Sequence, residues 1–237
     1  MGRKDPGQGE TGLDTRERLL LTAERLFGQR GVNGVSLREI VRAAGQRNAS
    51  ALHYHFGSRE GLIEAIFDKR MRAIEKRRME MLDRIEAERR TDDLRAIAEA
   101  IVWPLAELMA REDDGANYVR FLTEIFLTPE FDIAKMVDGR LNHGVGRAFR
   151  MIEKNLGETP TAILRQRLPL IMHAGSYAIA DIHATRLRQR SEGRELDIER
   201  AVHNLIDMWV GAVTAPVGKK TMELIEKKDA VKRTAAA

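Results

Sequence analysis

The chain has 237 residues, 43% of them hydrophobic but only 5% aromatic, with 40 basic and 36 acidic side chains and a net charge of +4. That apolar content supports one large domain or two smaller ones, and the small basic excess permits a polyanionic partner without requiring one. Cysteine is absent, which excludes disulfides, thiol catalysis and zinc–thiolate sites. No apolar run approaches the ~20 residues of a membrane span, so no membrane partner and a cytoplasmic location are expected.

Residues 1–13 are polar and Gly-rich, without the apolar centre of a signal peptide, and are read as a disordered arm. Asp14 or Thr15 caps a first helix, Arg16 to Arg30, whose apolar stripe is Leu19, Leu20, Ala23, Leu26 and Phe27. GVNGV is a connector. Ser36 followed by Glu39 is a capping box and opens a second helix, Leu37 to Ala44, with Val35 and Ile40 placed as a hydrophobic staple. Gly45 ends it. Asn48 suits the N-cap of a short third helix, Ala49 to His55. Phe56-Gly57 breaks that helix, and Ser58 caps a long fourth one running from Arg59 to about Arg89.

The remainder reads as helices, with no strand-like alternation and no repeat. Leu94 to Met109 is expected to kink or restart at Pro104. Asn117 to Leu127 is short and crowded with apolar side chains, and Ile133 to Leu156 follows Pro129. A helix from Pro160 to about Arg190 is expected to be interrupted by Pro169 and Gly175, and Leu196 to Val213 is the last strongly apolar helix. After Pro216 the chain reads as a basic tail. The fold class is therefore all-α: a small N-terminal helical part, then a larger helical part.

Residues 36–56, SLREIVRAAGQRNASALHYHF, make two short helices about a Gly turn, packed on a preceding helix. This is the layout of a helix-turn-helix. The second of its helices places N-terminal side chains against base edges in the major groove, while the first braces on the backbone. Leu52 and Phe56 fall inward as anchors; Arg47, Asn48, Ser50 and His53 fall outward. Arg reads guanine and Asn reads adenine. Ser36, Arg38, Tyr54, His55 and Arg59 are candidates for positioning contacts to phosphate. A plain helical hairpin with a solvated polar face is the competing reading.

Residues 14–67 resemble the DNA-binding domain of the tetracycline-repressor (TetR) family. The A-x-x-L-F-x-x-x-G opening is Ala23 to Gly31, and the T-x-x-x-I-A-x-x-A-G segment is Ser36 to Gly45, with Ser for Thr and Val41 for Ala. The closing Y-x-H-F-x-x-K-x-x-L is carried by His53, Tyr54, His55, Phe56, Arg59 and Leu62. Three departures stand out: a turn one residue longer than usual, Ser50 where Gly is usual, and His53 where Tyr is usual.

The resemblance implies a homodimer that binds a palindromic operator in double-stranded DNA, and a C-terminal helical domain that takes a small ligand and dimerises through two late helices. The domains are then a 1–13 arm, a 14–60 helix-turn-helix domain, a 61–218 ligand-binding and dimerisation domain, and a 219–237 tail. Small and apolar residues on the two late helices suit close packing. A pocket for a small apolar or amphipathic ligand draws on Trp103, Tyr118, Phe121, Leu122, Phe126, Met172, His173 and Tyr177, the last two sharing a helix face. Core packing is the competing reading for each.

No nucleophile–base–orienter set and no phosphate-cradling Gly loop is legible, and the histidines lack ligand spacing. No enzyme activity, cofactor or metal is expected. The function expected is a ligand-responsive transcriptional repressor. The alternatives are a helical DNA-binding protein or a protein-interaction module without ligand switching.

Overall fold

The structure is a computed structural model and describes residues 14–46, 48, 50–110, 115–128, 130–131 and 143–235. The expected arm, Arg47, Ala49 and residues 133–142 of one expected helix lie outside the described residues. Ten helices and no strand are found among the described residues: α1 Thr15–Arg30, α2 Leu37–Ala43, α3 Ser50–Phe56, α4 Arg59–Ala87, α5 Leu94–Ala110, α6 Gly115–Leu127, α7 His143–Asn155, α8 Thr161–Ser191, α9 Ile198–Thr214 and α10 Lys219–Ala235. They fall into two compact units, one within 1–76 and 107–142, the other within 77–106 and 143–237.

The first unit is built on α1. Its stripe of Leu19, Leu20, Ala23, Leu26 and Phe27 is buried together with Ile40, Leu52, Leu62, Ile63 and Ile66. Phe27 stacks on Phe121 of α6 at 6.2 Å between ring centroids, and Phe67 meets Tyr118 and Phe121 edge-on at 6.2 and 6.1 Å. These are offset and T-shaped geometries that favour aromatic pairs. Helix α1 lies very close to α6: a Cβ at Gly28 would sit 2.5 Å from the Asn117 carbonyl oxygen. Glu24, only 1% exposed, receives a bidentate pair of hydrogen bonds from Arg70 of α4 at 2.8 and 2.7 Å. Lys69 pairs with Glu17 beside it.

The second unit is built on α8 and α9. Gly175 of α8 packs against the Trp209 ring of α9, where a Cβ would make only ordinary van der Waals contact, 3.9 Å from Trp209 Cδ1. Arg167 of α8 donates to the carbonyls of Val213 at 3.2 Å, Ala215 at 2.5 Å and Pro216 at 3.3 Å, satisfying acceptors that the end of α9 leaves open. Arg147 of α7 pairs with Asp83 at 2.6 Å and Glu86 at 2.7 Å on the last turns of α4, and Asn155 donates to the Thr91 carbonyl at 2.7 Å. Arg95 of α5 pairs with Asp207 of α9 and donates to His203 Nδ1 at 3.2 Å; His203 also meets the Trp103 ring edge-on.

Several expectations are corrected. The restart expected at Pro104 and the interruptions expected at Pro169 and Gly175 are not found: α5 and α8 each run through as one helix. Each proline removes one backbone donor, but its flanks are held by burial: Ile101, Val102, Leu105 and Ala106 around Pro104, Leu164 and Leu168 before Pro169. Residues 219–235, read as a tail, form α10, where Lys, Glu, Met and Leu give high intrinsic propensity.

Candidate nucleic-acid interface

The turn between α2 and α3 follows from local chemistry. Ser36 Oγ accepts from the Glu39 amide at 3.2 Å, completing the N-cap expected from the capping box. The Glu39 carboxyl is held below the usual carboxylate range by Arg30, and it also takes a hydrogen bond from the Ser36 backbone. Val35 and Ile40 are both buried, as the staple requires. At the other end Gly45 has φ +72°, its amide donates to Arg42 at 3.1 Å, and the Gln46 amide donates to Val41 at 3.0 Å. This is a Schellman closure, and it needs a residue tolerant of the left-handed region.

Helix α3 is anchored by Leu52, which is fully buried, and by Phe56, whose ring lies under the Arg16 guanidinium at 5.2 Å. The anchors share one side, so Ser50 and Tyr54 face the opposite way. Asn48, Ser50, His53 and Tyr54 are exposed, Tyr54 by 86%. The Asn48 carboxamide accepts from the Ser50 amide at 2.9 Å and from the Ser50 hydroxyl. His53 Nδ1 donates to the Gly57 carbonyl at 3.0 Å. His55 is half-buried and meets the Tyr54 ring edge-on at 5.1 Å. Ser36 and Arg38 are exposed at the start of α2.

Arg59, expected at phosphate, makes contacts within the first unit. Its guanidinium donates to the carbonyls of Val32 and Val35, the latter at 2.8 Å, and lies over the Phe27 ring at 5.3 Å. It braces the connector between α1 and α2, and those bonds direct it inward. Arg16 is a contributor that the motif did not reveal; its only sequence signal is its place four residues before Leu20 at the N-terminal end of α1, where Asp14 makes no side-chain capping bond.

The expected pocket residues divide between the units. Tyr118, Phe121 and Leu122 are buried on α6 and Phe126 is half-buried there. Trp103 and Met172 are half-buried in the second unit, while His173 and Tyr177 are exposed on α8, Tyr177 by 37%. The His173–Tyr177 pair therefore lies on an outer face of the single chain. Among the described residues there is no cluster of three metal-ligating side chains and no helix long and apolar enough to cross a membrane.

Two family models match the chain. Residues 19–66 match the bacterial regulatory proteins of the tetR family, and residues 99–212 match a tetracyclin repressor-like C-terminal domain. A protein described as a tetR-family transcription regulator from Shewanella sp. PV-4 is 15% identical, with a TM-score of 0.56 over 84% of this chain and 98% of that one. An alanine-substituted mutant of HlyIIR is 16% identical, with a TM-score of 0.50 over 88% and 100% of the two chains. NalD, the secondary repressor of the MexAB-OprM multidrug efflux pump in Pseudomonas aeruginosa, is 21% identical over 84% and 96%, with a TM-score of 0.48. At these identities the likeness to the first two is one of fold. The two matched models bracket the helix-turn-helix and the helical domain after it: the chain belongs to the TetR family of DNA-binding transcription regulators.

Proposed function

We propose that the chain works as a homodimeric repressor in the cytoplasm. It holds a palindromic operator and is released by a small apolar or amphipathic molecule taken up by the helical domain. The carrying observation is where large apolar side chains meet solvent. Leu170, Tyr177 and Leu187 of α8 and Met208 of α9 are exposed by 66%, 37%, 46% and 64%. Leu170, Ala174 and Tyr177 share one face of α8; Met208, Gly211 and Ala212 share one face of α9. Two such helix pairs related by a two-fold axis would bury these faces as a four-helix bundle. A two-fold dimer also presents two copies of α3, matching half-sites about one DNA turn, ~34–36 Å, apart.

The C-terminal match supports the ligand half of the reading, with Trp103 and Met172 as its candidate contacts in the second unit. On α6, Tyr118, Phe121, Leu122 and Phe126 are candidates whose displacement would be felt at α1, because Gly28 and Asn117 leave no slack. By linkage, a ligand that weakens operator binding is itself bound less tightly by the operator complex. The chain acts by binding, with no catalytic step.

Sedimentation velocity of the wild type and of Leu170→Asp and Met208→Asp variants tests this. A wild-type dimer that dissociates in the variants, with loss of operator affinity, is expected. A monomeric wild type, or variants that stay dimeric, would contradict it.

A further inference from the structure

The side chains of α3 have a fixed hydrogen-bonding polarity, and it decides what they can read. The Ser50 backbone amide can only donate, so the Asn48 atom facing it at 2.9 Å is Oδ1. The Ser50 hydroxyl reaches the same Oδ1 and must therefore donate its one proton there. What Ser50 Oγ then offers outward is lone pairs. The Gly57 carbonyl can only accept, so His53 carries a proton on Nδ1 where it meets that oxygen at 3.0 Å. The neutral imidazole then holds its lone pair on Nε2.

Ser50 and His53 are three residues apart on one helix and both exposed. Asn48, with Oδ1 occupied twice, keeps only its two Nδ2 protons. The bidentate adenine contact expected of Asn48 needs Oδ1 as acceptor and Nδ2 as donor together, so the cap excludes it.

We infer that Ser50 Oγ and His53 Nε2 form an acceptor pair that reads exocyclic amino groups of adenine or cytosine in the major groove, while Asn48 meets only acceptors. Phosphate oxygens are acceptors and cannot satisfy the pair. The major groove does offer donors, adenine N6 and cytosine N4. The inference rests on the operator-binding reading and deepens it, because it names the base atoms rather than the surface.

The test uses the full chain. An operator is first selected from random duplex DNA. Each adenine of a half-site is then replaced in turn by purine, and each cytosine by 2-pyrimidinone, removing one amino group at a time. Wild-type affinity is expected to fall ~3- to 10-fold at one or two positions, the range of one hydrogen bond. His53→Ala and Ser50→Ala proteins, checked for unchanged thermal unfolding, are each expected to be indifferent at the position read by the side chain removed and to keep the wild-type response at the other. Wild-type indifference to every amino deletion would overturn the inference. So would variants that keep the full wild-type pattern, or a His53→Ala protein that loses affinity uniformly with a smaller salt slope, which marks phosphate contact. Those results leave operator binding standing. Selection that enriches no motif would instead remove the operator reading and the inference with it.

Discussion

Gly28 of α1 faces the backbone of Asn117 in α6 so closely that a Cβ would lie 2.5 Å from the Asn117 carbonyl oxygen. Inside a helix Ala ordinarily gains about 1 kcal/mol over Gly. Here the added methyl meets backbone, which cannot rotate away, and overpacking of this kind costs about 1–3 kcal/mol. Gly28→Ala is therefore expected to be net destabilising by thermal or urea unfolding. A stabilised Gly28→Ala protein would show that α1 and α6 are not in this contact.

Glu24 and Arg70 form a bidentate pair in which the carboxylate is 1% exposed. Removing one member of a buried pair leaves the other desolvated, at about 3–5 kcal/mol. Glu24→Ala should fall in that range. The double replacement Glu24→Met with Arg70→Met should recover part of the loss, because both halves of this pair are removed together. A double-mutant unfolding cycle measures both.

Arg38 and Arg59 should separate cleanly. Arg38 is exposed, whereas Arg59 is held by the Val32 and Val35 carbonyls. Arg38→Ala is expected to leave unfolding within about 0.5 kcal/mol of wild type and to lower the slope of log affinity against log salt by about one. Arg59→Ala is expected to cost about 1–3 kcal/mol in stability, since it orphans carbonyls that a charged donor had satisfied. Lysine at position 59 should rescue only partly, because one ammonium cannot reproduce the fork.

Asp93 caps α5, accepting from the Ala96 amide at 2.9 Å and from Arg90 at 2.6 Å. The Ala96 hydrogen bond, then Arg90, lowers its pKa below the ordinary value. A lowered carboxylate pKa means the unfolded chain binds the proton first. The stabilisation is thus present above the ordinary aspartate range and lost as pH falls through the folded value. Asp93→Ala should cost about 1 kcal/mol at neutral pH, and the difference from wild type should shrink on acidification below about pH 4.

Much of the first unit was legible because its signals are local. Ser36, Gly45 and Asn48 each act on backbone groups within a few residues, and each does in the structure what its type and position imply, while the Glu39 carboxylate pairs with Arg30 nine residues back. That α5 and α8 continue through Pro104 and Pro169 was not legible, because the burial that carries them through is tertiary. The contacts of Arg59 were illegible for the same reason, since its partners lie 24 and 27 residues back along the chain. His173 and Tyr177 share a face, as their spacing requires, but spacing alone does not tell an inner face from an outer one. The polarity of α3 was illegible for a different reason: residue types show what Asn48 and Ser50 can do, and only their mutual hydrogen bond shows what is left over.

The most direct measurement is selection of binding sites by the purified full chain from random duplex DNA at a stated near-physiological salt. The account expects a two-fold palindrome, its half-sites centred about one helical turn apart, ~10 base pairs. Weak, steeply salt-dependent binding with no enriched sequence would contradict it, because contact with the phosphate backbone alone then accounts for the affinity.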